Sequence, residues 1–165
     1  GPSNENVNHT CIKRIDVVSA EDMYKAAHTH YNDMDIAILA AAVADFKPVT
    51  IATQKIKKKE AGLTIELTPT KDILASLGTI KKHQFLVGFA LETNNELENA
   101  KGKLKAKNLN LIVLNSLNDK GAGFKTETNK VTFIDDKENV HEFQLKSKAH
   151  VAEDLMNEII KQINA

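Results

Sequence analysis

The chain has 165 residues, 42% of them hydrophobic and 27% charged, with 22 Lys plus Arg against 22 Asp plus Glu, which describes one ordinary folded domain and excludes a disordered or fibrous chain. Zero formal net charge argues against a nucleic-acid partner, which draws on a cationic excess. The lone Cys11 excludes an internal disulfide and a cysteine zinc site and points to a reducing, cytoplasmic compartment, and no apolar run approaches the roughly 18 residues that span a membrane.

In chain order, Cys11 to Val18 is strand-like. Ser19-Ala20-Glu21-Asp22 is a capping-box-like start for a helix reaching about Tyr31. Asp35 to Val43 is the first of three short, nearly continuous apolar runs, followed by Phe85 to Ala90 and Leu109 to Asn115; such runs suit strands covered on both faces. Gln54 to Lys59 and Leu63 to Thr68, around Glu60-Ala61-Gly62, predict an inserted hairpin. Thr70 can cap a helix carrying Ile73, Leu74 and Leu77 that stops near Gly78, and Thr93-x-x-Glu96 opens another with Leu97, Ala100 and Leu104 on one face. Lys130 to Asp135 and Asn139 to Leu145 form a second hairpin closed by Asp136-Lys137-Glu138. Ser147 caps a final amphipathic helix with Val151, Leu155, Ile159 and Ile163 on its core stripe. Strands alternating with helices mean an α/β fold of βαβ units with parallel pairing and right-handed crossovers. There is no repeat or linker, so residues 1–165 read as one domain.

The basic charge is local: Lys55, Lys57, Lys58 and Lys59 form one cluster and Lys101, Lys103, Lys105 and Lys107 another, and 21 of the 22 cations are Lys. Lysine is a flexible point charge suited to phosphate. The six histidines show no metal-ligand spacing. Cys11 has no activating neighbour, so it is expected to be buried or inert. The first strand and glycine-rich turn of a nucleotide-binding α/β domain have no counterpart, and no Gly-x-Gly-x-x-Gly occurs.

Ala40-Ala41-Ala42-Val43-Ala44-Asp45-Phe46-Lys47-Pro48, followed by Lys55-Ile56-Lys57-Lys58, resembles the bacterial phosphopantothenate–cysteine ligases, which are often fused behind a flavin-dependent decarboxylase. Pro69-Thr70-Lys71-Asp72-Ile73, Gly88-Phe89-Ala90-Leu91-Glu92-Thr93, and Lys103 with Lys107-Asn108 and Leu111-Ile112-Val113-x-Asn115 extend the likeness over essentially the whole chain. It implies a Rossmann-like three-layer domain with a mostly parallel sheet, an inserted hairpin flap and a C-terminal hairpin plus helix. The activity implied is CTP-dependent ligation of 4′-phosphopantothenate with cysteine through an acyl-cytidylate, in coenzyme A synthesis, with Mg2+ and a homodimer.

Residue by residue, the resemblance assigns the main chain of Leu39, Ala40 and Ala41 to the cytosine. Asp45 is a nucleotide contact, through the ribose or through a metal on the phosphates. Lys55 is the catalytic lysine aimed at the triphosphate, Phe89 a wall of the base pocket, Lys71, Asp72 and Ile73 a turn lining it, and Lys103 and Lys107 phosphate ligands one helical turn apart. Each has a plainer structural reading: tight helix-on-sheet packing for Ala40 to Ala44, a solvated edge for the hairpin lysines, a solvated helix face for Lys101 to Lys107, core for Phe89. Five motifs in order favour the functional one. The family's opening Gly-Gly-Thr strand and its Ile-Ser-Asn-x-Ser-Ser-Gly-Lys segment are not matched; Gly1-Pro2-Ser3 resembles a later Ser-Gly-Pro-Thr turn. The expectation is a domain without its first strand and phosphate-binding loop, inactive as these residues alone. The alternative is a catalytically silent nucleotide-binding or dimerisation module of the same fold. A short-chain reductase is disfavoured because neither tyrosine opens a Tyr-x-x-x-Lys pair: Tyr24 is followed by His28 and Tyr31 by Asp35.

Overall fold

The computed structural model describes residues 7–56, 62–116 and 127–164. The chain divides into two compact units, Gly1–Thr29 with Ala41–Ile73, and His30–Ala40 with Leu74–Ala165.

The second unit is built on a five-stranded sheet of order β1-β4-β5-β7-β8, formed by β1 (Ile36–Leu39), β4 (Phe85–Glu92), β5 (Leu111–Ser116), β7 (Val131–Asp135) and β8 (Val140–Glu142). The pairs β1–β4 and β4–β5 are parallel and the pairs β5–β7 and β7–β8 antiparallel, so every strand except β7 points the same way. The three apolar runs thus supply the parallel strands: β4 and β5 carry the buried residues, whereas β1 takes only Ile36–Leu39 of the run Asp35 to Val43, ends the sheet order and leaves Ile38 40% exposed. Side chains alternate across a strand. On one face Val87, Leu111, Val113, Val131 and Phe133 meet Val151, Leu155 and Ile159 of α4 (Lys148–Ile163), all buried. Full burial of each such side chain contributes about 1.5–3 kcal/mol.

On the other face Gly88 lies under α2 (Ile73–Ile80): a Cβ there would come within 2.5 Å of Leu74 and 2.9 Å of Leu109. Beside α2 runs α3 (Glu96–Ala106), with Ala100 and Leu104 buried. The end of α3 seats on α2, because Asn108, held at φ 52°, donates its side-chain amide to the Gly78 carbonyl at 2.9 Å. Helices on both faces make the three layers of a Rossmann-like α/β fold.

The first unit contains most of α1 (Ala20–Tyr31) and an antiparallel pair, β2 (Phe46–Pro48) with β3 (Leu67–Pro69). The start of α1 follows from its sequence: Ser19 Oγ accepts the Asp22 N–H at 3.1 Å, and Asp22 Oδ2 accepts the Ser19 N–H at 3.0 Å and its hydroxyl at 2.7 Å. These hydrogen bonds from Ser19 hold the Asp22 carboxyl below its usual range.

Several local expectations are corrected. Residues 12–18 form no strand. Among the described residues the inserted hairpin pairs Phe46–Pro48 with Leu67–Pro69, and residues 54–56 and 63–66 form no strand. Lys57 to Lys59 and the turn residues Glu60 and Ala61 lie outside the described residues, as does Gly1-Pro2-Ser3. The Thr70 hydroxyl donates to the Ala44 carbonyl at 2.6 Å. α2 ends at Ile80, two residues past Gly78. α3 begins at Glu96, as the Thr93-x-x-Glu96 pattern predicts, and the residue before it is Asn95, in the left-handed region at φ 45°, where asparagine is tolerated. Leu97 and Ile163 face solvent at 42% and 51% exposure, off the core stripes that Ala100, Leu104, Val151, Leu155 and Ile159 fill. Cys11 is exposed, not buried. A further short pair was not anticipated, β6 (Thr128–Asn129) with β9 (Lys146–Ser147). Among the described residues no helix is long and apolar enough to cross a membrane.

Ser147 caps α4 as expected, accepting the His150 N–H at 3.2 Å. Ser147→Ala is expected to destabilise the protein by about 1 kcal/mol. The check is a lower urea midpoint at unchanged slope; an unmoved midpoint would show that the cap contributes nothing.

Candidate functional site

Ligands of parallel α/β sheets bind beyond the carboxyl ends of the strands. At that end of the second unit, Leu39 is in register with Gly88, so the last residues of β1 adjoin Phe89 on β4. A cavity of about 450 Å³ opens there. Ile38, Ala40, Phe89 and Leu91 line it from the strand ends, and Val151, Leu155 and Met156 from α4. Its polar groups are Asn115, Asn129 and Lys148, with the Asn129 amide donating to Asn115 Oδ1 at 2.9 Å. An apolar hollow with a flat aromatic wall and a few fixed amides suits a planar or amphipathic small molecule. Two of the residues assigned to the base, Ala40 and Phe89, therefore share one cavity, and Leu39 borders it in the strand.

Lys103 and Lys107 occupy one side of α3, Lys107 being the residue that ends the helix through its N–H to the Lys103 carbonyl at 3.0 Å. The Lys103 ammonium is 2.5 Å from Glu92 Oε1, at the end of β4. Lys101 and Lys105 both turn to Glu138 in the β7–β8 turn, and their hydrogen bonds, that of Lys105 foremost, hold the Glu138 carboxyl below its usual range. The lysines of this helix thus split by position: the pair 101 and 105 fastens a turn, and 103 faces the strand end.

In the first unit Thr70 joins two of the motifs. Its N–H donates to the Asp45 carbonyl at 2.8 Å while its hydroxyl takes Ala44, so Ala44-Asp45 and Thr70-Lys71-Asp72 adjoin. The Asp45 side chain is exposed. Lys71 is held by α1: its ammonium is 3.0 Å from Glu21 Oε1 and 4.4 Å from the centre of the Tyr24 ring. The hydrogen bond from Lys71 holds the Glu21 carboxyl below its usual range. Ile73, the first residue of α2, is a core residue at 5% exposure, and Asp72 immediately precedes it. Ala41 and Lys55 are exposed, Lys55 in an irregular segment of the hairpin.

Among the described residues there is no group of three or more His, Cys, Asp or Glu able to hold a metal by itself. A single exposed carboxylate such as Asp45 fits the way Mg2+ is usually held, by one or two carboxylates together with substrate phosphates. The sequence reading missed Glu92, Asn99 and Asn129. Glu92 stood inside a quoted motif; its partner lies 11 residues away on a helix, a spacing with no signature. Asn99 could have been found, since 99, 103 and 107 recur at helical spacing.

Comparison with known proteins identifies the family. Residues 1–163 match the family described as DNA/pantothenate metabolism flavoprotein C-terminal domain. A cysteine/cysteine sulfinic acid decarboxylase from an unknown prokaryotic organism is 50% identical over 164 residues, 99% of this chain and 44% of that protein. The coenzyme A biosynthesis bifunctional protein CoaBC of Bacillus subtilis (strain 168) is 46% identical over 145 residues, 88% of this chain and 36% of that protein. This chain therefore spans less than half the length of either relative. A crystal structure of the C-terminal domain of coenzyme A biosynthesis bifunctional protein CoaBC superposes with a TM-score of 0.74 at 36% identity, over 91% of this chain and 65% of that one. With the motifs, the sheet order and the family match in agreement, the chain belongs to the DNA/pantothenate metabolism flavoprotein C-terminal domain family.

Proposed function

We propose that the chain serves CTP-dependent ligation of 4′-phosphopantothenate with cysteine, as a cytoplasmic homodimer working with a fused or associated flavin-dependent decarboxylase. A carboxylate is a poor electrophile, so its oxygen first attacks the α-phosphorus of CTP, the bond to the β-phosphate oxygen breaks and pyrophosphate leaves. The amine of cysteine then attacks the acyl carbon of the acyl-cytidylate, loses a proton, and CMP departs with its electron pair, leaving an amide. The observation that carries this reading is the adjoining of Leu39-Ala40 with Gly88-Phe89 at neighbouring strand ends over a common cavity, in a chain of this family.

In this reading the main chain of Leu39, Ala40 and Ala41 meets the Watson–Crick edge of cytosine and Phe89 packs on the ring. Lys71, Asp72 and Ile73 supply the turn beside the nucleotide. Lys55, Lys103 and Lys107 offset charge on the phosphates, where preorganised cations act most strongly as charge develops. Asp45 would hold Mg2+ or the ribose; the ion would neutralise phosphate charge when bound. An exposed apolar stretch of the hairpin, including Phe46 at 58%, Ile51 at 84% and Leu67 at 53% exposure, supports a second copy as partner.

Pyrophosphate release from CTP is expected only with phosphopantothenate present, because its carboxylate is the nucleophile. A coupled pyrophosphate assay with each substrate omitted in turn decides this: release driven by cysteine and CTP alone removes the ligase reading.

A further inference from the structure

Glu92 sits at the last residue of β4, where the chain leaves the sheet for α3, and its side chain is mostly covered at 13% exposure. Both of its oxygens are taken by one face of α3. Oε1 receives the Lys103 ammonium at 2.5 Å, and Oε2 receives the Asn99 amide at 3.3 Å. That amide also donates to the Asn94 carbonyl at 2.9 Å, which fixes it against the β4–α3 connection. Asn99 and Lys103 are one helical turn apart, so the carboxylate is gripped by neighbours on a single helix face. The Lys103 side chain is still 46% exposed, and an ammonium has three donors. One goes to Glu92, at the carboxyl end of β4, the end at which ligands of such folds bind, and the others remain for a ligand.

We infer that Glu92 is a positioning residue: it holds the ammonium of Lys103 in place to receive the phosphates of the nucleotide. This rests on the reading of Lys103 as a phosphate ligand. The physical need is the lysine stem, whose rotamer freedom must be given up on binding if it is ordered only when the ligand arrives. A carboxylate that orders it beforehand removes that cost from binding, as the helix glutamate does for the phosphate-binding lysine of protein kinases. The opposing effect is plain electrostatics, since a negative charge beside the lysine repels phosphate. The two effects have opposite signs, so the consequence of removing Glu92 decides between them.

The test is CTP titration by calorimetry on the full chain, on Glu92→Gln, on Lys103→Met and on the double variant, with thermal unfolding of each. Expected is about tenfold weaker CTP binding in Glu92→Gln, the order of one charged side chain losing its alignment, and no further loss when Glu92→Gln is added to Lys103→Met. Unchanged or tighter binding in Glu92→Gln, beside a normal unaltered chain, overturns the positioning role and leaves the nucleotide site standing. A loss of the same size in the Lys103→Met background assigns Glu92 a structural role and overturns it too. No CTP binding by the unaltered chain removes the nucleotide reading and this role with it. If Glu92→Gln unfolds too early to titrate, Glu92→Asp replaces it: the charge is kept but the carboxylate is withdrawn by one methylene, and unchanged CTP affinity then overturns the role.

Discussion

Lys55→Gln is expected to slow formation of the acyl-cytidylate by 100-fold or more, while leaving the attack of cysteine on preformed acyl-cytidylate close to normal. The reasoning is one of where charge stands. A lysine directed at the triphosphate offsets the negative charge that gathers on the departing pyrophosphate, and loss of one such preorganised contact typically costs about 3–4 kcal/mol in the transition state. The acyl-cytidylate has already lost its two outer phosphates, so the second step has no such charge to offset. Lys55 is exposed in an irregular stretch of the inserted hairpin and makes no ion pair among the described residues that would make it a structural strut. The measurement is the two half-reactions assayed separately in a protein that performs both. Equal damage to both would assign the hairpin a structural role and withdraw Lys55 from the chemistry.

Gly78→Ala is expected to destabilise the protein by about 3 kcal/mol, the upper range for an added methyl group with no room. Helix propensity alone gives the opposite sign, since alanine is favoured over glycine by about 1 kcal/mol within a helix. Here the methyl would point at the Lys107 carbonyl oxygen, 1.9 Å away, with the carbonyl carbon at 2.8 Å. That obstacle is backbone, tied down by the Lys107 N–H to the Lys103 carbonyl and by the Asn108 amide to Gly78 itself. It cannot swing aside as a side chain would. Gly88→Ala is the useful contrast, because its nearest obstacle is the end of the Leu74 side chain, which can rotate. Urea unfolding of both variants checks the argument: a Gly78→Ala protein as stable as the parent would show that α2 and the end of α3 separate freely. Because Lys103 and Lys107 lie on the same helix, the Gly78 variant is also expected to weaken nucleotide binding.

Much of the fold was legible because its signals are local or strongly periodic. Phe85 to Ala90 and Leu109 to Asn115 are apolar on both faces, as strands covered from both sides require, and became β4 and β5; of Asp35 to Val43 only Ile36–Leu39 became strand, β1, parallel to β4 at the end of the sheet order. The Ser19 and Ser147 caps and the buried stripe Val151, Leu155, Ile159 were likewise readable, since a cap and a helical stripe depend on neighbours within four residues. Thr70 shows the limit. Its hydroxyl donates to a carbonyl 26 residues away, that of Ala44, a partner that local preference cannot see. Leu97 failed for the same reason, since a stripe predicts which residues share a face and not how far round that face the neighbouring layer reaches; Leu97 is left 42% exposed.

For the site, the sequence by itself determined the chemical inventory: small residues at one strand end, an aromatic at the next, a carboxylate, and lysines in two clusters, in an order that resembles one family of ligases. Only tertiary structure decided which of these meet. It set Ala40 and Phe89 on one cavity with Asn115 and Asn129, joined Asp45 to Thr70 across the hairpin, gave Lys71 to Glu21 and Tyr24, and divided the lysines of α3 between Glu92 and Glu138. A lysine run in sequence carries equal charge at every position. Which ammonium is used for structure and which remains turned toward a ligand depends on the carboxylates that packing brings within about 4 Å, and those come from strands and turns far away along the chain.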